Sequence, residues 1–424
     1  MPTVSRRKVN KISCILCISH FDTKHRQATQ QAFTEPVPQP SKCDPRATRE
    51  VQERMTPMKP LLFLLLVIPM CPGSVGQDWP LWKSYASSFM DNQIRVIDRD
   101  AGDRTTSEAQ AYAMFFALVA NDRPRFDGLL RWTEVNLASG DLTGHLPAWL
   151  WGKGPKNNWG VLDGNPASDA DLWLAYTLIE AGKAWNEPRY ASLGTNLAKR
   201  IADQEVAEIP SLGMVLLPAP KGFHRGDSYR LNASYVPLQL LLRLVQELPD
   251  GPWHRIAAGL PTLISRSAPH GFATDWIEYK AGGNTFPSPL GSYDAIRVYL
   301  WAGMLDPATP GRDLLLKALS GMTLYLRTNP VPPEKVKQDG TVQSAKSPVG
   351  FSAAVLPFVS AMDEKDIESQ QMSRVKSELN PNTGLYGNPA RYYDQNLALF
   401  ALGWKERQFW FGSHGDLKMN WRDK

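Results

Sequence analysis

The chain has 424 residues, with 47 Lys+Arg against 42 Asp+Glu, a formal charge of +5, and four cysteines. Eleven of the basic residues, five of the acidic ones and every cysteine fall before residue 77, so the remainder carries 36 basic against 37 acidic residues and no thiol. That composition excludes a basic nucleic-acid surface, a disulfide framework and a thiolate metal site from residues 77–424, and leaves one large domain or two smaller ones.

Residues 1–57 show no sustained hydrophobic period and hold charged clusters such as SRRKVNK and DTKHRQATQQ. Cys14-x-x-Cys17, with His20 nearby, lacks the second pair that a zinc site or a redox pair in a βαβ frame would need. Then Met58 and Lys59 precede an apolar run, Leu61 to Ile68, and small residues follow at Ser74 and Gly76. This is the layout of a secretory signal. The run is far shorter than the roughly 20 residues that cross a bilayer. Cys71 follows Ile-Pro-Met, which lacks the small residues of a lipid-attachment site. We therefore expect residues 1–57 to be an over-extended or disordered segment, 58–76 a signal peptide, and 77–424 a single domain that reaches the periplasm or the medium.

Beyond residue 77 the 3.6-residue period dominates. It predicts helices over 79–92, 105–120, 123–138, 167–185, 188–206, 232–247, 253–267, 292–305, 311–326, 350–361, 364–378 and 391–404. Gly, Pro and Asn gather in long connectors such as LPAWLWGKGPKNNWGVLDGNP and TNPVPPEKVKQDGTVQSAKSPVG. Connectors of that length are commonly functional. An even number of helices, paired along the chain and without a dominant sheet, points to an all-α fold. Six helical hairpins close as an (α/α)6 toroid, with inner and outer helices and an open cleft at one face.

Three strongly apolar helices open with acids: Thr105-Thr-Ser-Glu108, Ser168-Asp169-Ala-Asp171 and Ser292-Tyr-Asp294. Each acid has a plain explanation. Thr105-x-x-Glu108 fits a capping box, and any first-turn carboxylate gains from the helix dipole. Taken together they say more. If all three helices are inner helices of one ring, their N-termini meet at one rim. Asp169 and Asp171 cannot share a helical face, so one turns to the cleft while the other caps or pairs.

A cleft of carboxyls with abundant tryptophan suits a sugar substrate. Glycosidic bonds break through a cationic transition state, generally between two carboxyl groups. All 14 tryptophans lie beyond residue 77. Trp149, Trp151 and Trp159 in one connector, with Trp132, are candidate stacking platforms, whereas Trp173, Trp185, Trp301 and Trp404 read as core. The histidines are scattered without ligand spacing, and G-x-S-x-G, G-x-G-x-x-G and phosphate-loop patterns do not occur. No metal or cofactor is expected.

RTTSEAQAYAMF, LPAWLWGK, ASDADLWLAYTLIEAGKAW, SYDAIRVYLW, SPVGFSAAVLPF and RYYDQNLALFALGW together resemble glycoside hydrolase family 8. Within it they are most similar to the periplasmic endo-1,4-β-glucanases (cellulases) of bacterial cellulose synthase systems. The resemblance runs from Trp79 to about Gly412. It implies an (α/α)6 fold and hydrolysis of a β-1,4-glucan with inversion. It assigns Glu108 as general acid, Asp294 as general base and Asp169 to distorting the bound sugar. One of the paired Tyr392 and Tyr393 would hold the attacking water, and Arg297, one turn beyond the base, would fix a carboxylate. Ala109 and Ala170 stand where the family often has glycine, which leaves both acids in place. The resemblance further implies functional association with a cellulose synthase complex. Chitosan, xylan or mixed-linkage glucan as substrate, and a non-catalytic glucan-binding subunit, are the alternatives. N-terminal sequencing of the secreted protein is expected to read a start near Gln77, and a mature start upstream of residue 58 would contradict the proposed leader.

Overall fold

The computed structural model describes residues 78–423. The segments 1–57 and 58–76 and all four cysteines lie outside the described residues.

Thirteen α-helices build the described part. They are α1 (Pro80–Phe89), α2 (Ser107–Val119), α3 (Arg123–Leu137), α4 (Ser168–Ala184), α5 (Pro188–Gln204), α6 (Leu238–Glu247) and α7 (Trp253–Ser267). They continue as α8 (Ala295–Gly303), α9 (Arg312–Ala318), α10 (Gly321–Leu326), α11 (Val349–Ala361), α12 (Lys365–Ser377) and α13 (Tyr392–Lys405). Every expected segment contains a helix, and 311–326 contains two. The break falls where Gly321 packs backbone against the Gly271 turn; an added Cβ there would lie 2.6 Å from the His270 carbonyl oxygen. Residues 232–247 also divide. Pro237 bars the helical conformation to Val236, so α6 starts at Leu238 and a 3-10 turn, Ala233–Tyr235, precedes it.

The inner ring is α2, α4, α6, α8, α11 and α13, each packed on the next. It closes where Phe400 of α13 meets Phe115 and Phe116 of α2, with ring centroids 5.4 and 4.6 Å apart. Helices α3, α5, α7, α9 and α12 each lie outside the inner helix that precedes them, and α1 backs α13. This is the (α/α)6 toroid. Every residue of α2 is buried, which explains why that helix is apolar on all sides rather than along one stripe. Trp173 of α4 packs 5.3 Å from Trp301 of α8 and 5.0 Å from Phe400, filling the middle of the ring with aromatic side chains. Trp173 and Trp301 are core, as expected, while Trp185 and Trp404 are only half-buried.

Sixteen strands of two to five residues occupy the connectors, more than the sequence suggested. They are too short for a period of two to register. Leu150–Lys153 pairs with both Thr105–Thr106 and Trp159–Asp163. A four-stranded sheet joins His224–Arg225, Ser228–Leu231, Ile277–Lys280 and Thr285–Pro287. The first sheet adjoins the start of α2, which carries Glu108, and the second lies in the connectors that lead into α6 and α8.

The ring tolerates little added volume between α8 and α11. A Cβ on Gly303 would sit 2.2 Å from the Phe358 nitrogen and 2.3 Å from the Pro357 carbonyl carbon. Gly303→Ala is therefore expected to destabilise the fold by about 1–3 kcal/mol in urea unfolding. An unchanged midpoint would show that these two helices separate without penalty.

Candidate active site

Inner helices run in alternation with outer ones, so their N-termini collect at one rim. The first turns of α2, α4 and α8 bring Glu108, Asp169 and Asp294 there, and one buried side chain joins them. Arg297 of α8 has a side-chain exposure of 3%. Its Nη1 donates to Glu108 Oε2 and lies 3.5 Å from Asp169 Oδ2. Its Nη2 donates to Asp294 Oδ1 at 2.9 Å and to Ser234 Oγ at 3.0 Å. Ser234 Oγ donates in turn to Asn232 Oδ1 at 2.8 Å, so the guanidinium is braced from the turn before α6. The three acids are 186 residues apart at the extremes of the chain, Glu108 to Asp294, and meet within reach of one cation.

The local sequence decides how each acid is presented. Thr106, not Thr105, caps α2, its Oγ1 accepting from Ala109 N at 3.1 Å. Thr105 instead donates to the Val96 carbonyl at 2.6 Å. The capping box expected from Thr105 and Glu108 does not form, and the Glu108 carboxyl is free to reach Arg297. Asp169 Oδ1 accepts from Ala170 N at 2.8 Å, which turns its other oxygen toward the guanidinium. Asp171 faces away and pairs with Glu205 at the end of α5. Both of those side chains are wholly buried, and burial followed by carboxyl repulsion pushes both well above the usual carboxylate range.

Electrostatics point the same way at the rim. Three carboxyls against one guanidinium leave excess negative charge in a buried site, and holding a proton relieves it. Burial, and then the charge of Glu108, raises Asp169 well above its ordinary range, and a hydrogen bond to Glu108 adds to the effect. Burial likewise pushes Asp294 up to about 7; Arg297 opposes the shift, while Asp275 and Glu108 reinforce it.

The paired tyrosines separate. Tyr393 donates from its hydroxyl to the Tyr293 carbonyl at 2.5 Å and lies within the fields of Arg297, Glu108 and Asp294. Tyr392 turns its ring toward Tyr85 and Phe89, at 6.5 and 6.2 Å. The tryptophans also differ. Trp149 and Trp132 are buried. Trp151 sits opposite Thr105 in the strand register and stacks on the half-exposed Trp159 at 5.2 Å, with the Arg95 guanidinium over both rings. Trp132 meets Trp151 edge-on at 5.3 Å. A flat indole surface thus adjoins the Glu108 side of the rim.

Several contributors were not anticipated. Tyr235 lies beneath Arg297, and Trp276 stacks on Phe223 at 5.8 Å with Arg230 above it, giving a second aromatic surface on the Asp294 side. Tyr112 places its hydroxyl 3.4 Å from Arg297 Nη1. Asn232 and Ser234 fall at the start of the segment expected as the helix 232–247, and Asp275 comes from a connector whose composition marks it only as a turn. The one available signal was the long-connector rule itself, since PHGFATDW carries Asp275 and Trp276 side by side.

With the geometry in place, relatives can be compared. The family model for glycosyl hydrolases family 8 matches residues 58–407. An endoglucanase of Xanthomonas axonopodis pv. citri is 43% identical over 357 residues, covering 83% of this chain and 91% of its own. An endoglucanase of Escherichia coli K12 is 40% identical over 348 residues, covering 81% of this chain and 91% of its own. The crystal structure of an endo-1,4-D-glucanase from Vibrio fischeri ES114 superposes with a TM-score of 0.76 at 40% identity, covering 81% of this chain and 99% of that one. The chain belongs to glycosyl hydrolase family 8, and is thus an enzyme of glycosidic-bond hydrolysis.

Arg297 is the cation on which the site depends. Arg297→Met should destabilise the protein by about 3–5 kcal/mol, because it strands buried carboxyls without a partner. Turnover should vanish with it. A variant with wild-type melting and activity would remove Arg297 from this role.

Proposed function

We propose that the chain is an endo-acting β-1,4-glucanase that cleaves cellulose or a cellulose-like glucan by single-displacement inversion, with residues 77–424 as the catalytic domain. The observation that carries this reading is the gathering of Glu108, Asp169 and Asp294 on Arg297 at one rim between two aromatic surfaces. The endoglucanase names of the relatives supply the substrate class.

In this mechanism the glucan lies across the rim, its sugar faces against Trp151 and, on the other side, Trp276. Trp132 supports Trp151 edge-on. Asp169 binds and distorts the sugar at the cleavage point. Asp294 takes a proton from a water molecule as that water attacks the anomeric carbon. The bond to the leaving oxygen breaks as Glu108, the general acid, delivers a proton to it. One water is consumed, and solvent returns the proton between turnovers. Tyr393, rather than Tyr392, is the hydroxyl placed to steady the water. Inversion needs the two carboxyls about 6.5–9.5 Å apart, so that water fits between sugar and base.

The leader pattern at 58–76 supports a periplasmic or secreted enzyme, and no helix among the described residues is long and apolar enough to cross a membrane. The likeness to the cellulases of cellulose synthase systems supports a working association with such a complex during cellulose synthesis and export.

Purified protein should lower the viscosity of carboxymethylcellulose before much reducing sugar appears. Glu108→Gln and Asp294→Asn should each abolish this while oligosaccharide binding survives. Retained hydrolysis in either variant removes that residue from its role, and an inert wild type would favour a glucan-binding subunit. The base must be ionised and sits at about 7, so kcat/KM should decline as pH falls through about 7. A flat profile from pH 8 to 5 would contradict that assignment.

A further inference from the structure

The residue that holds Asp294 in place is not on its own helix. Asp275 enters from the connector between α7 and the strand Ile277–Lys280, and it lies half-buried beneath the start of α8. One of its oxygens, Oδ1, accepts from Ser292 N at 2.7 Å and from Ala295 N at 2.9 Å. These amides bracket Asp294, whose own amide also faces the Asp275 carboxyl. Asp294 is the N-cap of α8, yet its side chain makes no capping bond and its backbone is already helical. A cap residue ordinarily spends its side chain on the first-turn amides. Asp275 does that work from outside, which leaves the Asp294 carboxyl to face Arg297.

The remaining fixings of this turn agree. Ser292 Oγ donates to the Glu334 carbonyl at 2.7 Å, and the Tyr293 hydroxyl donates to Glu334 Oε1 at 2.9 Å. Gly291 passes so close to the Ala273 carbonyl oxygen that an added Cβ would lie 2.0 Å from it, so the Asp275 connector and the α8 turn touch backbone to backbone. Asp275 thereby sits behind Asp294 as a second carboxyl with no cation of its own in direct contact among the described residues.

We propose that Asp275 is the positioning residue for the general base: it caps α8 in place of Asp294 and fixes the direction of the Asp294 carboxyl. The inference rests on Asp294 being the base. The charged and titratable groups facing the pair are Arg297 of α8, Glu108 of α2, Asp169 of α4, Tyr393 of α13, Tyr235 before α6 and Tyr293 with Glu334. Of these, Arg297 favours the ionised base, and the neighbouring carboxylates oppose it. Asp275 stands first among those that oppose. Burial alone already raises the Asp275 carboxyl, while its amide bonds favour the charged form.

The two roles separate in two substitutions. Asp275→Asn keeps an oxygen for the Ser292 and Ala295 amides but deletes the charge. It should still turn over, with the acidic limb of its kcat/KM profile moved toward lower pH by about one unit. Asp275→Ala deletes the cap as well, and kcat should fall at least tenfold while KM for cello-oligosaccharides changes little, because binding surfaces elsewhere are intact. A purely structural Asp275 would lower melting temperature in both variants without moving the limb or kcat, and that result overturns the inference. Asp294→Asn is measured beside them. If it is inactive and the Asp275→Asn limb stays put, only the Asp275 inference falls; if it retains turnover, the base assignment falls and takes this inference with it.

Discussion

A single buried guanidinium holds together what the chain supplies from three distant helices. Arg297 contacts Glu108, Asp169 and Asp294, and nothing else charged positively comes as close to all three among the described residues. Without it, three largely buried carboxyls at the mouths of inner helices would repel one another. With it, they stand together while still carrying more negative charge than one cation balances. Burial, with that residual imbalance, raises the Asp169 carboxyl well above its ordinary range and the Asp294 carboxyl to about 7.

The toroid exists to make this possible. The inner helices α2 and α4 are buried along nearly their whole length, and at the rim the Glu108 and Asp294 side chains keep exposures of 11% and 16%. Aromatic rings from α2, α4, α8 and α13 fill the space beneath, which gives the acids a rigid floor. The small sheets then flank the rim with indole faces.

Much of this was legible in the sequence. Helix periodicity located every helical segment, and the pairing of those segments implied the ring. The acids were visible because each opens a helix too apolar to be anything but core. What escaped had physical causes. Two- to five-residue strands carry no periodic signal, so the flanking sheets and Trp276 were not anticipated. The exchange of cap from Thr105 to Thr106 depends on Thr105 being drawn to Val96, a contact made only in the folded state. Asp275 accepts from the Ala295 amide 20 residues away, on a helix it does not belong to, and no local rule assigns a cap at that range. The difference between Tyr392 and Tyr393 was likewise unreadable, since adjacent residues differ only in which neighbour the fold gives them.

The stereochemistry of the first product tests the arrangement of the two carboxyls most directly. Proton NMR of cello-oligosaccharide hydrolysis, recorded before mutarotation, reports the anomer formed at the new reducing end. Glu108 and Asp294 acting from opposite faces of the sugar, with a water between sugar and base, require the α-anomer to appear first. Initial release of the β-anomer would mean a covalent intermediate on a carboxyl in direct contact with the sugar, and Asp294 as a base acting through water would have to be abandoned.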